Sequence, residues 1–483
     1  MQSGEHWIGP DWIAAKASET TAAISPATGE IIGHVPSDGV AACSAAISAA
    51  RSAFDTSTWS QSPRARSAVL FEIADRIASN TQKLAHLLSL ETGKLLAASR
   101  GEIAMAVSEF RYYAGLTRAI QGRMMEVEPG AYSLLMREPA GVAGIIVPWN
   151  SPAILLARSL APALAAGCTV VVKPALQSSL FHTALMRVIA ETSGLAPGVI
   201  NSFCEAGSAG AEQMVRASEV DVLSFTGSSA VGKKIMAAAA STVKRLNLEL
   251  GGKAAAIVFD DCDIEAVAPR LISAALIHCG QQCTAIDRVL VHESKYDEML
   301  RTLSTLLKKV RLGPIDDEAS ELGPLIGLPS RDRLRRIVDE AAALGRAALV
   351  GDVPTGPLSR GAYLEPSLFT VDDIDSPFIQ EEFFGPLINL ERFANEASAI
   401  ARANATRYGL SASVWTRDLA RAHRVARALR CGTVWLNDHN KLIAEAETGG
   451  YRESGLGRLH GIEGLNDFLE TKHVLQSHGA MAI

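Results

Sequence analysis

Gly144-Ile145-Ile146-Val147 and Thr169-Val170-Val171-Val172 are two short apolar runs, and residues 153–166 between them read as a helix. Runs that are apolar at nearly every position are strands buried on both faces, and a helix between two of them makes a parallel crossover. The rhythm continues outward: residues 181–191 read as a helix, and Val199-Ile200-Asn201-Ser202-Phe203 and Val222-Leu223-Ser224-Phe225 as further strands. This alternation predicts a parallel sheet covered by helices on both faces. A second alternating region follows Gly252, with strands at 254–259 and 289–291 and helices at 264–277, 296–310, 331–344, 397–405 and 419–429. Two α/β bodies are therefore expected, hinged at Leu250-Gly251-Gly252. Upstream, residues 64–116 carry apolar residues at helical spacing, and residues 126–138 form a strand-like pattern broken by Pro129-Gly130, which predicts a hairpin. Residues 351–361, rich in Gly and Pro, read as a surface loop.

A chain of 483 residues is about three times a typical domain, so two or three domains are expected. Hydrophobic residues make up 48% and charged residues 20%, with a net charge of −6 and no basic stripe, which argues against nucleic acid or an anionic membrane as principal partner. Residues 1–7 show no basic region leading into an apolar run, so no secretory signal is expected. The most apolar stretch, residues 140–175, is interrupted by Pro148, Asn150, Pro152, Arg158, Pro162 and Lys173. A membrane span needs about 20 uninterrupted apolar residues, so this stretch reads as core strands and a core helix. Seven cysteines, an odd count without a paired framework, favour a reducing cytoplasm. His278, Cys279 and Cys283 lack a fourth ligand close in sequence, so no metal site is expected. Cys43, Cys168, Cys204, Cys262 and Cys431 read as small core residues.

Cys283 stands in Cys279-Gly280-Gln281-Gln282-Cys283-Thr284-Ala285, a turn in which Gly280 allows close backbone approach and whose amides can stabilise a thiolate. The alternative is a buried, inert thiol. Glu249 alternates with Leu248 and Leu250 ahead of Gly251-Gly252; so apolar a frame raises a carboxyl pKa and suits it to activating water, unless it is a salt-bridged strand residue. Asn150, after Val147-Pro148-Trp149, is either a turn cap or an amide donor to an oxyanion. Phe225-Thr226-Gly227-Ser228 leads from a strand through a glycine turn into a helix, an anion-binding arrangement that lacks the usual Gly-x-Gly-x-x-Gly. Lys173 ends its strand, where snorkelling alone would explain it.

Seven blocks in order resemble the aldehyde dehydrogenase superfamily over nearly the whole chain. They are Val147-Pro148-Trp149-Asn150, Val172-Lys173-Pro174-Ala175, Phe225-Thr226-Gly227-Ser228, residues 248–253, Gly280-Gln281-Gln282-Cys283, Glu381-Glu382-Phe383-Phe384-Gly385-Pro386, and Gly449-Gly450-Tyr451 with Ser454-Gly455-Leu456-Gly457-Arg458. The resemblance implies a Rossmann-type cofactor domain (1–122 and 140–250), an α/β catalytic domain (251–448) and a small β oligomerisation arm (123–139 and 467–483). It makes Cys283 the nucleophile, Glu249 the base that activates water, and Asn150 the oxyanion donor beside the Cys283 amide. It assigns Ser228, Gly227, Trp149 and Gly207 to the dinucleotide pyrophosphate region and Lys173 to the adenosine ribose. Glu382 would bind the nicotinamide ribose, Phe384 pack near the nicotinamide, and the Leu250 carbonyl meet its carboxamide. NAD is expected, with NADP left open because Leu176 stands where many NAD-preferring members carry a glutamate.

The implied reaction oxidises an aldehyde to the free acid. Transfer to coenzyme A is disfavoured by Glu249, and a catalytically retired structural homologue by the retention of all three groups. Ser151, Leu155 and Arg158 fall at i, i+4 and i+7 on one helix face that would wall the substrate tunnel with Thr448. The tunnel then reads as wide and polar, with Arg158 either pairing an anionic group of the substrate or tied to a structural carboxylate. A protective disulfide between Cys279 and Cys283 is weighed against a plain packing role for Cys279. The small-molecule partner is an aldehyde, and a homodimer or homotetramer is expected.

Overall fold

The computed structural model describes residues 2–477. The alternating segments form two large sheets. The first has eight strands in the order Gly455–Leu456, Arg245–Glu249, Val222–Thr226, Val142–Val147, Thr169–Pro174, Ile200–Ser202, Glu5–Ile8, Asp11–Ala14. Its five central strands are parallel, and antiparallel strands close both edges. The second has seven strands, Ala347–Leu349, Ser367–Thr370, Leu387–Phe393, Ile286–His292, Ala254–Val258, Ser411–Trp415 and Thr433–Leu436, parallel except at the first edge. Parallel pairing needs helical crossovers that bury both faces, so the 142–147 and 169–174 strands are almost entirely buried.

The helix Pro152–Ala166 is buried at nearly every position, opens on Pro152 and stops at Gly167, whose φ of 100° ends the helix in the left-handed region. The helical stretch expected at 64–116 resolves into Pro63–Ser79, Thr81–Thr92 and Leu96–Leu116, the last two separated by a left-handed Gly93. The expected hairpin is Arg123–Glu128 against Ala131–Pro139, and Leu469–Gln476 pairs with residues 132–139 of its second strand. Residues 478–483, at the end of the expected arm, lie outside the described residues. Among the described residues no helix is long and apolar enough to cross a membrane.

Register brings chemistry to one edge. Thr226 stands opposite Glu249, Phe225 opposite Ile146, and Val147 opposite Pro174. Asn150, Lys173, Ser228 and Glu249 therefore all emerge at the carboxyl ends of parallel strands, where open α/β sheets form their ligand crevice.

Candidate active site

The turn before Cys283 is forced. His278, Cys279 and Gly280 hold φ values of 45°, 57° and 71°, three left-handed residues in succession. Two of them are not glycine, a conformation that costs about 1–2 kcal/mol each. A Cβ on Gly280 would sit 2.1 Å from the Gly385 carbonyl oxygen, and one on Gly252 2.5 Å from that of Cys283. Glycine at both places lets the loop press against the 249–254 hinge and the 381–386 segment. Gln281 pins it, donating from Nε2 to the His278 carbonyl (3.1 Å) and accepting at Oε1 from the Ile326 amide (2.8 Å). His439 Nε2 donates to the Thr284 carbonyl at 2.7 Å on the far side.

Cys283 is half-buried at the cavity wall. Burial pushes its thiol up to about 11; Arg158 opposes this, and Glu249 and Glu382 add to it. The thiolate-stabilising turn expected from sequence is thus outweighed by desolvation, and the Cys283 amide is the weakest of the named influences. Cys279 is buried in the apolar core of the second sheet, and both thiols are free.

Glu249 ends its strand, 5% exposed, with Oε1 lacking any partner. Burial raises its carboxyl to about 7, against the pull of Arg158 and Arg458, the direction expected from its leucine frame. Asn150 is equally buried and spends one amide hydrogen on the Gln281 carbonyl at 3.0 Å. Its second N–H is left for a ligand oxygen.

A cavity of about 400 Å³ joins Cys283, Glu249 and Asn150 to Ser151, Leu155, Arg158 and Thr448. No Phe, Tyr or Trp lines it. Arg158 is 6% exposed, and its Nε and Nη2 have no partner. Among the described residues it makes no ion pair, and Glu249 is a carboxylate that feels its charge. Sequence reading missed the groups behind this wall. Lys94 and Glu102 form a buried ion pair; Lys94 also donates to Ser151 Oγ (3.2 Å), and Glu102 accepts from the Ala153 amide (2.8 Å) at the start of the 152–166 helix. Glu102 and Glu109, seven apart on one helix among Ile103, Ala106 and Phe110, were the available signal, because carboxylates on an apolar helix face need partners.

The residues expected to bind a dinucleotide sit at strand ends and the turns that follow them. Ser228 caps the Ser229–Ala239 helix, accepting from the Val231 amide at 3.4 Å; the first-turn amides and helix dipole there favour an anion. A Cβ on Gly227 would meet the Phe225 ring at 2.4 Å, and one on Gly232 the Leu250 side chain at 2.5 Å. Lys173 reaches the Gly207 carbonyl (3.4 Å) and pairs with Glu205 (3.8 Å), a carboxylate that sequence reading passed over. Glu382 Oε1 accepts from the Gly252 amide at 3.0 Å, and burial raises this carboxyl to about 7. Trp149 meets Phe384 edge-on, ring centres 5.7 Å apart. A helix N-terminus for phosphates, a lysine and a carboxylate for hydroxyls and a Trp–Phe wall for a flat ring fit a dinucleotide.

Comparison with known proteins places the chain in a family. The sequence profile described as "Aldehyde dehydrogenase family" matches residues 12–474. Betaine aldehyde dehydrogenase of Bacillus subtilis is 37% identical over 481 residues, covering 99% of this chain and 98% of that protein. Peroxisomal aminoaldehyde dehydrogenase 2 of Pisum sativum is 35% identical over 480 residues, covering 97% and 95%. The crystal structure of betaine aldehyde dehydrogenase from Staphylococcus aureus in complex with NAD+ superposes with a TM-score of 0.96 at 36% identity, covering 100% of this chain and 97% of that one.

Proposed function

This chain belongs to the aldehyde dehydrogenase family, and we propose that it oxidises a polar or anionic aldehyde to the free carboxylic acid through a thioester on Cys283. The observation that carries this reading is the single cavity lined by Cys283, Asn150 and Glu249. The Cys283 thiolate, its proton given up to solvent, attacks the aldehyde carbon, and the free N–H of Asn150 and the Cys283 amide hold the oxyanion. NAD+, when bound, accepts the hydride that leaves as the oxyanion collapses to the thioester. Glu249 then takes a proton from water, which attacks the thioester and frees the acid and the thiol. Lys173, Ser228, Glu382 and the Trp149–Phe384 pair would hold the cofactor, with Gly207, Gly227 and Leu250 shaping its bed. Glu205 beside Lys173 supports NAD over NADP, because a carboxylate next to the lysine expected at the adenosine ribose would disfavour a 2′-phosphate there.

Arg158 supports an anionic substrate. A buried guanidinium whose Nε and Nη2 have no partner favours a carboxylate or sulfonate and repels a cation. The quaternary ammonium of betaine aldehyde, the substrate named for two of the relatives, suits an aromatic cage, and no aromatic ring of Phe, Tyr or Trp lines this cavity. The test is reduced-cofactor formation with neutral, acidic and cationic aldehydes of equal length. Acidic aldehydes are expected to lead, and Arg158→Ala to erase their lead; an unchanged ranking would remove the anionic reading. Cys283→Ala is expected to abolish turnover. Glu249→Gln should keep one burst of reduced cofactor per active site and slow steady turnover by about 10²–10⁴-fold. Full steady turnover in that variant would contradict the base assignment, and an acyl-coenzyme A product would contradict release of the acid.

A further inference from the structure

We infer that Glu109 and His460 form a hydroxyl-recognising subsite in the substrate cavity, so that the preferred aldehyde carries a hydroxyl group. The inference rests on the cavity being the aldehyde site and deepens that reading. Both residues line the cavity that holds Cys283, and they are 1% and 2% exposed. They come from parts of the chain 351 residues apart. His460 Nδ1 lies 3.1 and 2.9 Å from the two oxygens of the Glu109 carboxylate. With Nδ1 facing the carboxylate, the tautomer that donates from Nδ1 leaves Nε2 with a lone pair, as an acceptor. That atom is buried and has no partner among the described residues. A buried acceptor without a partner is costly unless a ligand or water supplies the hydrogen.

The backbone gives independent support. His460 holds φ 61° and ψ 175°, a region that only glycine occupies readily. The neighbours hold it there. Leu459 and Thr448 exchange both backbone hydrogen bonds (2.8 and 2.9 Å), Gly461 donates to the Ala444 carbonyl (2.8 Å), and the Tyr113 hydroxyl donates to the Gly461 carbonyl (3.0 Å). A strained histidine kept where glycine would fit, with one ring nitrogen committed to a buried carboxylate and the other unused, is arranged for a ligand rather than for packing. Thr448 Oγ1, also buried and unpartnered on the cavity wall, adds a second hydroxyl-compatible group. Arg158 offers only donors, so His460 Nε2 supplies the complementary acceptor.

The experiment compares kcat/KM for butanal with that for its 2-, 3- and 4-hydroxy derivatives, with NAD+ and NADP+, in wild type, His460→Gly and Glu109→Gln. Wild type is expected to favour at least one hydroxyaldehyde by about tenfold or more, since a site built for a hydroxyl discriminates against its absence. In both variants the ratio of hydroxylated to plain substrate should fall at least about fivefold, mainly through KM; a structural defect would lower both substrates together and leave the ratio alone. Glycine suits the backbone at 460 and Gln is isosteric at 109, so if one variant fails to fold the other carries the test. A wild type indifferent to the hydroxyl, or a ratio within about twofold of wild type in a folded variant, would overturn the subsite while leaving aldehyde oxidation standing. No oxidation of any aldehyde by wild type would overturn the proposed function, and the subsite with it.

Discussion

At the scale of single residues, burial moves the two proposed reacting groups in the same direction, with different consequences. It lifts Glu249 to about 7, into the range where a carboxylate is a useful base, and lifts Cys283 to about 11, away from the thiolate that chemistry needs. Arg158 is the leading opposing charge for both. Removing it raises the thiol further, lowers the thiolate fraction at a given pH and slows alkylation. Iodoacetamide trapping of Cys283 near pH 8 is therefore expected to be several-fold slower in Arg158→Ala, with Arg158→Lys in between, since one pKa unit is tenfold in thiolate. An equal or faster rate in Arg158→Ala would show that the guanidinium does not act on the sulfur. For Glu249, too, the active form is the deprotonated one. Steady turnover limited by thioester hydrolysis should rise as pH climbs through about 7 and lose that limb in Glu249→Gln. A limb that survives unchanged in the variant would move the titration to another group.

At the scale of elements, the 152–166 helix is where stability and chemistry meet. Its first turn follows Asn150 and Ser151, and Glu102 and Lys94 hold that turn from behind. Breaking a buried ion pair by removing one partner leaves the other charge stranded and costs about 3–5 kcal/mol. Lys94→Met should lose stability of that order in denaturant unfolding, and Lys94→Met/Glu102→Leu should recover much of it, because two apolar groups strand no charge. A double variant no better than the single would place the damage elsewhere in the helix start. The same element shows what the sequence made legible. The strands at 142–147 and 169–174 are buried on both faces, so apolar runs announced them, and the Gly-Gly hinge and Gly280 turn were readable because only glycine fits. The helix Val40–Thr56 escaped because Ala and Ser leave it no strong apolar stripe. The strands at 387–393 and 411–415 escaped because buried polar residues interrupt them. Glu391 is fully buried only through Arg288 and Arg402, and Ser413 through Trp415. His460 escaped for the same reason, since its partner is on a helix 351 residues earlier and no local pattern marks the pair.

At the scale of the whole molecule, the three-stranded ribbon of residues 123–139 and 469–476 does not fit a lone chain. Its outer strands are wet almost throughout: every residue of Arg123–Glu128 and all but Leu469 of Leu469–Gln476 are exposed. Met124, Met125, Val127, Met136, Val474 and Leu475 are among the exposed large apolar side chains. A small sheet gains stability by packing one face against another layer, and open edges invite a further strand. A second copy of the chain offers both remedies, and a closed symmetric pair or a pair of pairs would leave no edge free. Light scattering is therefore expected to give two or four times the chain mass. Met124→Glu with Leu475→Glu places charges on the ribbon without touching either sheet core. It should shift the protein toward a single-chain mass and make its melting temperature lower and less dependent on concentration, since association stabilises by mass action. A wild type of single-chain mass at micromolar concentration would mean that the ribbon stands by itself, and its exposed methionines and leucine would then need another occupant.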